Sequence, residues 1–253
     1  MIAKESIKKL SLLLRTAEFP NVVREYFQHL FLSYLYSLEG SEKMLFKGGT
    51  ALRIIYGSMR FSEDLDFSLF AIKPYNQKKF IEDLISASLK KIERAGINVE
   101  LGKNPNKTSE GYYLDASFNI YDYPKTSIAI NVSCRKEKKI EGEVDSIVSD
   151  FIPVYNLLHL PQEELVDEKV FGALLNRFKP RDFYDLYFIM RKGILTLSQK
   201  SRLNKKKEEV IKAAGKIDFS SELSVFLPQD QQNIIKNFKN ILTNELNRQL
   251  SSP

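Results

Sequence analysis

Apolar residues recur along this chain with two different periods. Near the N-terminus the spacing is helical. Ile7 to Arg15 reads as a short helix, and after Pro20 the positions Val23, Phe27, Leu30 and Tyr34, widened by Tyr26 and Phe31, form a longer apolar stripe. Asn21 is placed to cap that helix and Gly40-Ser41 to end it. From Met44 the period shortens. Met44-Leu45-Phe46 is a short apolar strand running into Gly48-Gly49, and Thr50 to Tyr56 makes one or two helical turns closed by Gly57. Leu65 and Phe67 then alternate with Asp64, Asp66 and Ser68, as in a strand with one buried face. Tyr75 to Ala95 is helical up to Gly96. Ile97 to Leu101, Gly111 to Ile120 and Ser127 to Arg135 read as strands, and Lys103 to Glu110 is a polar loop.

From about Asn156 the alternation stops. Pro161 to Arg177, Arg181 to Arg191, Ser198 to Ala214 and Asp230 to Leu250 all read as helices. The expected fold is α+β: a mixed-sheet core with N-terminal helices over residues 1–155, then a C-terminal helical bundle over residues 156–253.

Composition narrows the chemistry without changing this outline. At 43% hydrophobic and 28% charged the chain is ordinary globular material, with 17 Phe and 12 Tyr to fill a core. No run approaches the ~18 apolar residues of a membrane span, and Arg15 interrupts the Leu10 to Leu14 stretch before it could serve as a signal-peptide core. A lone Cys134 closes no intramolecular disulfide, which fits a reducing cytoplasm. With only His29, His159 and Cys134 as soft ligands, a zinc site is excluded in practice; any metal is a hard cation on carboxylates. The net charge of +6 tilts weakly toward a phosphate-rich partner.

The chemistry concentrates in residues 46 to 69. A strand leads into two glycines and a threonine at the start of a short helix, where exposed N–H groups suit a phosphate. Asp64 and Asp66 follow, and as i and i+2 on a strand they point to one face, so both carboxylates can hold the same Mg²⁺ ions. Separately, a Gly-Gly pair is ordinarily a turn and Asp-x-Asp a solvated strand edge. In this order and spacing they make the minimum kit for metal-assisted phosphoryl or nucleotidyl transfer.

GGTALR at residues 48–53, followed by RFSEDLDF at 60–67, resembles the nucleotidyltransferase toxins of the AbiEii/AbiGii and MenT type, within the DNA polymerase β-like superfamily. The resemblance continues at DEKVFGALLNRFKPRDFYDLYFI, residues 167–189: a lysine on one helix, then Arg-Asp-x-x-Asp-Leu opening the next. On the residues alone, surface ion pairs such as Arg181 with Asp185 would explain that second stretch. The resemblance implies more. Asp64 and Asp66 would hold two Mg²⁺ ions, and Lys47, Gly48, Gly49, Thr50, Arg60 and Ser62 would bind an NTP. Lys169 would contact the nucleotide's phosphates or base, and Asp182 or Asp185 would orient a basic residue or assist the acceptor. It also implies a cytoplasmic toxin of a toxin–antitoxin or phage-defence pair, with a cognate antitoxin as partner. The toxin would place an NMP on RNA, a tRNA 3′ end being the expected acceptor.

One departure stands out. The wider superfamily carries a third carboxylate in an apolar-Asp-apolar strand, and here Ile130-Asn131-Val132 offers an amide. An amide cannot serve as a general base at neutral pH. Asp182 or Asp185 takes that role, or the metal carries acceptor activation, or the chain is a degenerate, nucleic-acid-binding relative; an enzyme that nucleotidylates protein is a further alternative. Asp115, on the preceding strand, is a weaker substitute. Lys205-Lys206-Lys207 with Arg202, Lys212 and Lys216 form the densest basic run, a solvated helix face or an RNA-steering surface. Lys136, Lys138 and Lys139 could steer RNA likewise. His29 and His159 read as packed side chains.

Overall fold

The computed structural model describes residues 1–102, 106–134 and 140–250. They form two compact units: Met1–Gly57 with Phe61–Leu160, and Ser58–Arg60 with Pro161 onward. The boundary thus falls at 160/161 rather than 155/156, and a three-residue piece of the early chain belongs to the later unit.

The first unit contains helices α1 (Lys4–Leu13), α2 (Val23–Leu35), α3 (Gly48–Ile54) and α4 (Pro74–Arg94). Its strands are β1 (Met44–Lys47), β2 (Leu65–Leu69), β3 (Asn98–Leu101), β4 (Asn106–Lys107), β5 (Gly111–Asn119), β6 (Thr126–Cys134), β7 (Glu143–Ile147) and β8 (Tyr155–His159). They make one mixed sheet in the order β3-β5-β6-β2-β1-β8-β7, with β4 added on β5. β2 runs parallel to β6 and antiparallel to β1, while β1 runs parallel to β8. In the middle of β5 and β6, buried Leu114, Ala116 and Phe118 and buried Ile128, Ile130 and Val132 alternate with part-buried residues, which gives one face an apolar surface. α2 covers that face. It is buried nearly all round, with ten of its thirteen residues buried, and Phe27 stacks on Phe118 of β5 at 3.9 Å between ring centroids.

Three expectations are corrected here. β7 and β8 lie where strands were not read, and β8 completes the sheet beside β1. α2 begins at Val23 after a π-helical turn (Glu18–Val22), and its N-terminus has no side-chain cap, so Asn21 does not perform the capping role. The polar loop contains the two-residue β4; residues 103–105, like Arg135, Lys136, Lys138 and Lys139, lie outside the described residues.

The second unit is helical: α5 (Gln162–Asp167), α6 (Leu175–Arg177), α7 (Pro180–Lys192), α8 (Leu197–Asn204), α9 (Lys207–Ala214), α10 (Ser220–Phe226) and α11 (Phe238–Leu250). The single helix expected over 161–177 is α5 and α6 joined by a π-helical stretch, Glu168–Leu174, and the one over 198–214 breaks at Lys205-Lys206. α7 is the central element. Pro180 opens it, Gly193 in the left-handed region closes it, and Phe183, Leu186, Ile189 and Met190 are buried. Phe183, Phe219 and Phe238 meet edge to face around it. Thr196 and Gln199 form a reciprocal capping box at the start of α8. Among the described residues, no helix is long and apolar enough to cross a membrane.

Candidate functional site

The first unit builds its acidic site on the turn from β1 to α3 and on β2. Lys47, Asp66, Asn131 and Tyr113 form a row across β1, β2, β6 and β5, since each is the register partner of the next. Same-face side chains in such a row stand within reach of one another. The Asn131 amide donates from Nδ2 to Asp66 Oδ1 at 3.0 Å, and Lys47 Nζ donates to Ser133 Oγ at 3.2 Å. Gly48 sits at φ +86°, and a Cβ there would lie 2.1 Å from Asp66 Oδ2. Glycine is therefore required twice over: by the left-handed backbone, and by the carboxylate that occupies the space of a side chain.

The segment carrying Asp64 is braced from behind. Fully buried Thr50 donates its hydroxyl to the Asp64 carbonyl at 2.5 Å, and Gln28 of α2 donates to the Ser62 carbonyl at 2.9 Å. Asp64 and Asp66 themselves are part-exposed. Burial first, then the charges of Asp115 and Asp64, raise the Tyr113 hydroxyl above its ordinary value, so both carboxylates act on the row that holds Asp66. Among the described residues, however, no three His, Cys, Asp or Glu side chains converge closely enough to hold a metal ion. Asp64 and Asp66 are hard oxygen donors, suited to an ion that takes its other ligands from water and phosphate. Mg²⁺ is bound in that manner.

The second unit treats its acids differently. Asp185, 1% exposed, accepts from Arg60 Nε and Nη2 at 3.0 and 2.9 Å on Oδ1, from Nη2 at 3.1 Å on Oδ2, and from Lys169 Nζ at 2.9 Å. Burial alone would raise its carboxyl; the charges of Arg60 and Lys169 and their hydrogen bonds outweigh that and hold it below the ordinary range. Asp182, equally buried, is gripped by Arg177 through Nε at 2.7 Å and Nη2 at 2.6 Å. Lys169 lies in the π-helical stretch, whose widened turn is a recurrent feature of functional sites.

The expected residues therefore fall into two clusters. Lys47, Gly48, Gly49, Thr50, Ser62, Asp64 and Asp66 belong to the first unit, with Asn131 added. Arg60, Lys169, Asp182 and Asp185 belong to the second, with Arg177 added. Two placements differ from the expectation. Arg60 is 2% exposed in its pair with Asp185 rather than open to a triphosphate, and Arg181 reaches Glu222 at 3.8 Å rather than Asp185. Asp182 pairs with Arg177, and Asp185 with Arg60 and Lys169.

Partners are seen for four of the other residues singled out. His29 is buried against Tyr155, with Nδ1 and the hydroxyl oxygen 2.9 Å apart, and burial, then Arg53, push its ring down to about 4, so it is neutral near pH 7. His159 lies 2.7 Å from the Leu160 carbonyl and 3.1 Å from Asp145. In the basic run, Arg202 pairs with Asp167 and stacks on Phe171, and Lys206 pairs with Glu209.

Comparison with known proteins supplies an independent reading. The family described as nucleotidyl transferase AbiEii toxin, Type IV TA system, matches residues 30–250. Among solved structures, a candidate nucleotidyltransferase from Helicobacter pylori is similar at 20% identity and TM-score 0.58, covering 91% of this chain and 97% of its own. JHP933 from Helicobacter pylori is similar at 18% identity and TM-score 0.56, covering 98% and 96%. These two likenesses concern the fold. No curated protein matches.

Proposed function

Since the chain belongs to the AbiEii family of nucleotidyltransferase toxins and is a nucleotidyltransferase, we propose that it moves an NMP from an NTP to an RNA hydroxyl, with Asp64 and Asp66 holding Mg²⁺. The observation that carries this reading is the fit of Gly48 against Asp66: the backbone is cut back to a glycine at the one place where a carboxylate must stand beside the start of α3. When bound, Mg²⁺ supplies Lewis acidity to the phosphate oxygens of the nucleotide. The acceptor hydroxyl attacks the α-phosphorus, the bond from that phosphorus to the bridging oxygen breaks, and pyrophosphate leaves while the hydroxyl proton passes to solvent or a nearby base.

Lys47, Gly48 and Gly49 line the approach of the triphosphate, and Thr50 holds Asp64 through its carbonyl. Lys169 is assigned to the nucleotide's phosphates, with Asp185 and Arg60 fixing where its ammonium sits. Neither Asp182 nor Asp185 is assigned as the acceptor's base, because each is already matched by a guanidinium. The expected acceptor is a tRNA 3′ end, the expected location the cytoplasm, and the expected partner an antitoxin.

The test is incubation with each α-labelled NTP, Mg²⁺ and total RNA. Label entering RNA with the wild type and not with Asp64→Ala is the expected result. Label that resists RNase and yields to protease would move the acceptor to protein. RNA binding with no transfer to any acceptor would overturn the reading in favour of a chain that has lost turnover.

A further inference from the structure

Asn131 stands where a third acid was expected, and its surroundings explain why an amide fits there. It is the register partner of Asp66 on the neighbouring parallel strand, so the two side chains face each other across one strand spacing. An ionised carboxylate only accepts hydrogen bonds, which settles the orientation of the amide: its N–H end must face Asp66. Asp66 Oδ1 takes that N–H at 3.0 Å, while Oδ2 lies over Gly48, where even a methyl group would collide. Both oxygens are thereby located, one by a donor and one by a glycine. An aspartate at 131 would instead set two like charges opposite each other with no donor between them.

We propose that Asn131 is a positioning residue. It fixes the rotamer of Asp66 through a neutral donor, so that the carboxylate is oriented toward the metal ion, and it is not itself a third metal ligand. This rests on the reading of Asp66 as a metal ligand. Partners that orient metal ligands in this way typically contribute about 10- to 100-fold to metal affinity.

The test measures Mn²⁺ binding to the whole protein without nucleotide, by loss of the free-ion EPR signal, alongside the Mg²⁺ dependence of transfer. Asn131→Ala should weaken Mn²⁺ binding by at least about 10-fold and raise the Mg²⁺ needed for half-maximal transfer in proportion. The melting temperature of the metal-free protein should stay in place. Asn131→Asp, which adds a carboxylate and removes the donor, should not restore transfer. Should the alanine variant fail to fold, Asn131→Ser, which keeps a short donor, should show the same weakening in milder form. Wild-type Mn²⁺ binding by Asn131→Ala, or wild-type transfer by Asn131→Asp, would overturn the proposal. Asp66→Asn is run in parallel: if it too retains Mn²⁺, the assignment of Asp66 as a ligand has failed, and the role of Asn131 fails with it.

Discussion

Asp64 with Asp66, and Asp182 with Asp185, are two short-spaced acid pairs of one chain, and they differ in burial and in the partners that hold them. Asp182 and Asp185 are buried, and each is matched by a guanidinium, with Lys169 added at Asp185. Asp66 is part-exposed and held by a neutral amide, and its neighbour Asp64 is held through its backbone carbonyl. A buried carboxylate must be paired with a cation to remain ionised. A carboxylate meant for a metal must be oriented by groups that leave its charge intact. On the proposed reading of Asp64 and Asp66 as metal ligands, hydrogen-bond partners separate the two pairs more sharply than spacing does.

The largest effect is expected at Asp185. Asp185→Leu leaves Arg60 and Lys169 facing a site without a counter-charge, and should cost about 3–5 kcal/mol in calorimetric or denaturant unfolding. Arg60→Met combined with Asp185→Leu should recover much of that loss. Additive losses would mean that the pair is not the reason for the cost.

Acid should reach the two units at different pH. His29, lowered to about 4 from 6.5, is neutral when folded, so the unfolded chain binds its proton first. Its contribution is complete above pH 6.5 and is lost as pH falls toward about 4, amounting to about 3 kcal/mol as an upper figure. Asp185, depressed below 3.8, contributes stability that is complete above that value and disappears only as pH falls through its folded value. Unfolding measured from pH 7 to 4 should slope for the wild type and flatten for His29→Gln. An unchanged slope would place the acid sensitivity elsewhere.

A smaller effect is expected at Gly48. Gly48→Ala adds a Cβ at φ +86° and displaces Asp66, so it should cost about 1–3 kcal/mol and reduce transfer by more than that loss of stability accounts for. A variant with reduced stability but full transfer would show that the Asp66 carboxylate is not confined there.

Much of this was legible from residue order. The step from Met44-Leu45-Phe46 into Gly48-Gly49 and the alternation of Leu65 and Phe67 with Asp64 and Asp66 are local signals, and β1, α3 and β2 follow them. β7 was not legible because four of its five residues are exposed, so no burial alternation marks it; polar residues protect such an edge strand. β8 is five residues long and has Leu157 and Leu158 on opposite faces, which blurs its period. In the candidate site, the spacing of Asp64 and Asp66 marks them as the proposed ligands, whereas Asn131 is legible only as a missing acid. Its bond to Asp66 spans 65 residues and depends on a parallel register that no local pattern encodes. The grip of Arg177 on Asp182 was hidden for a related reason: the chain turns through the left-handed region at Phe178, so the partners stand five residues apart instead of at a helical spacing.

The most direct measurement is a Mn²⁺ titration of the nucleotide-free protein, comparing wild type, Asp66→Asn and Asp185→Asn by calorimetry. The account predicts that Asp66→Asn removes binding, while folded Asp185→Asn binds Mn²⁺ as the wild type does. Binding that survives Asp66→Asn and disappears with Asp185→Asn would contradict it.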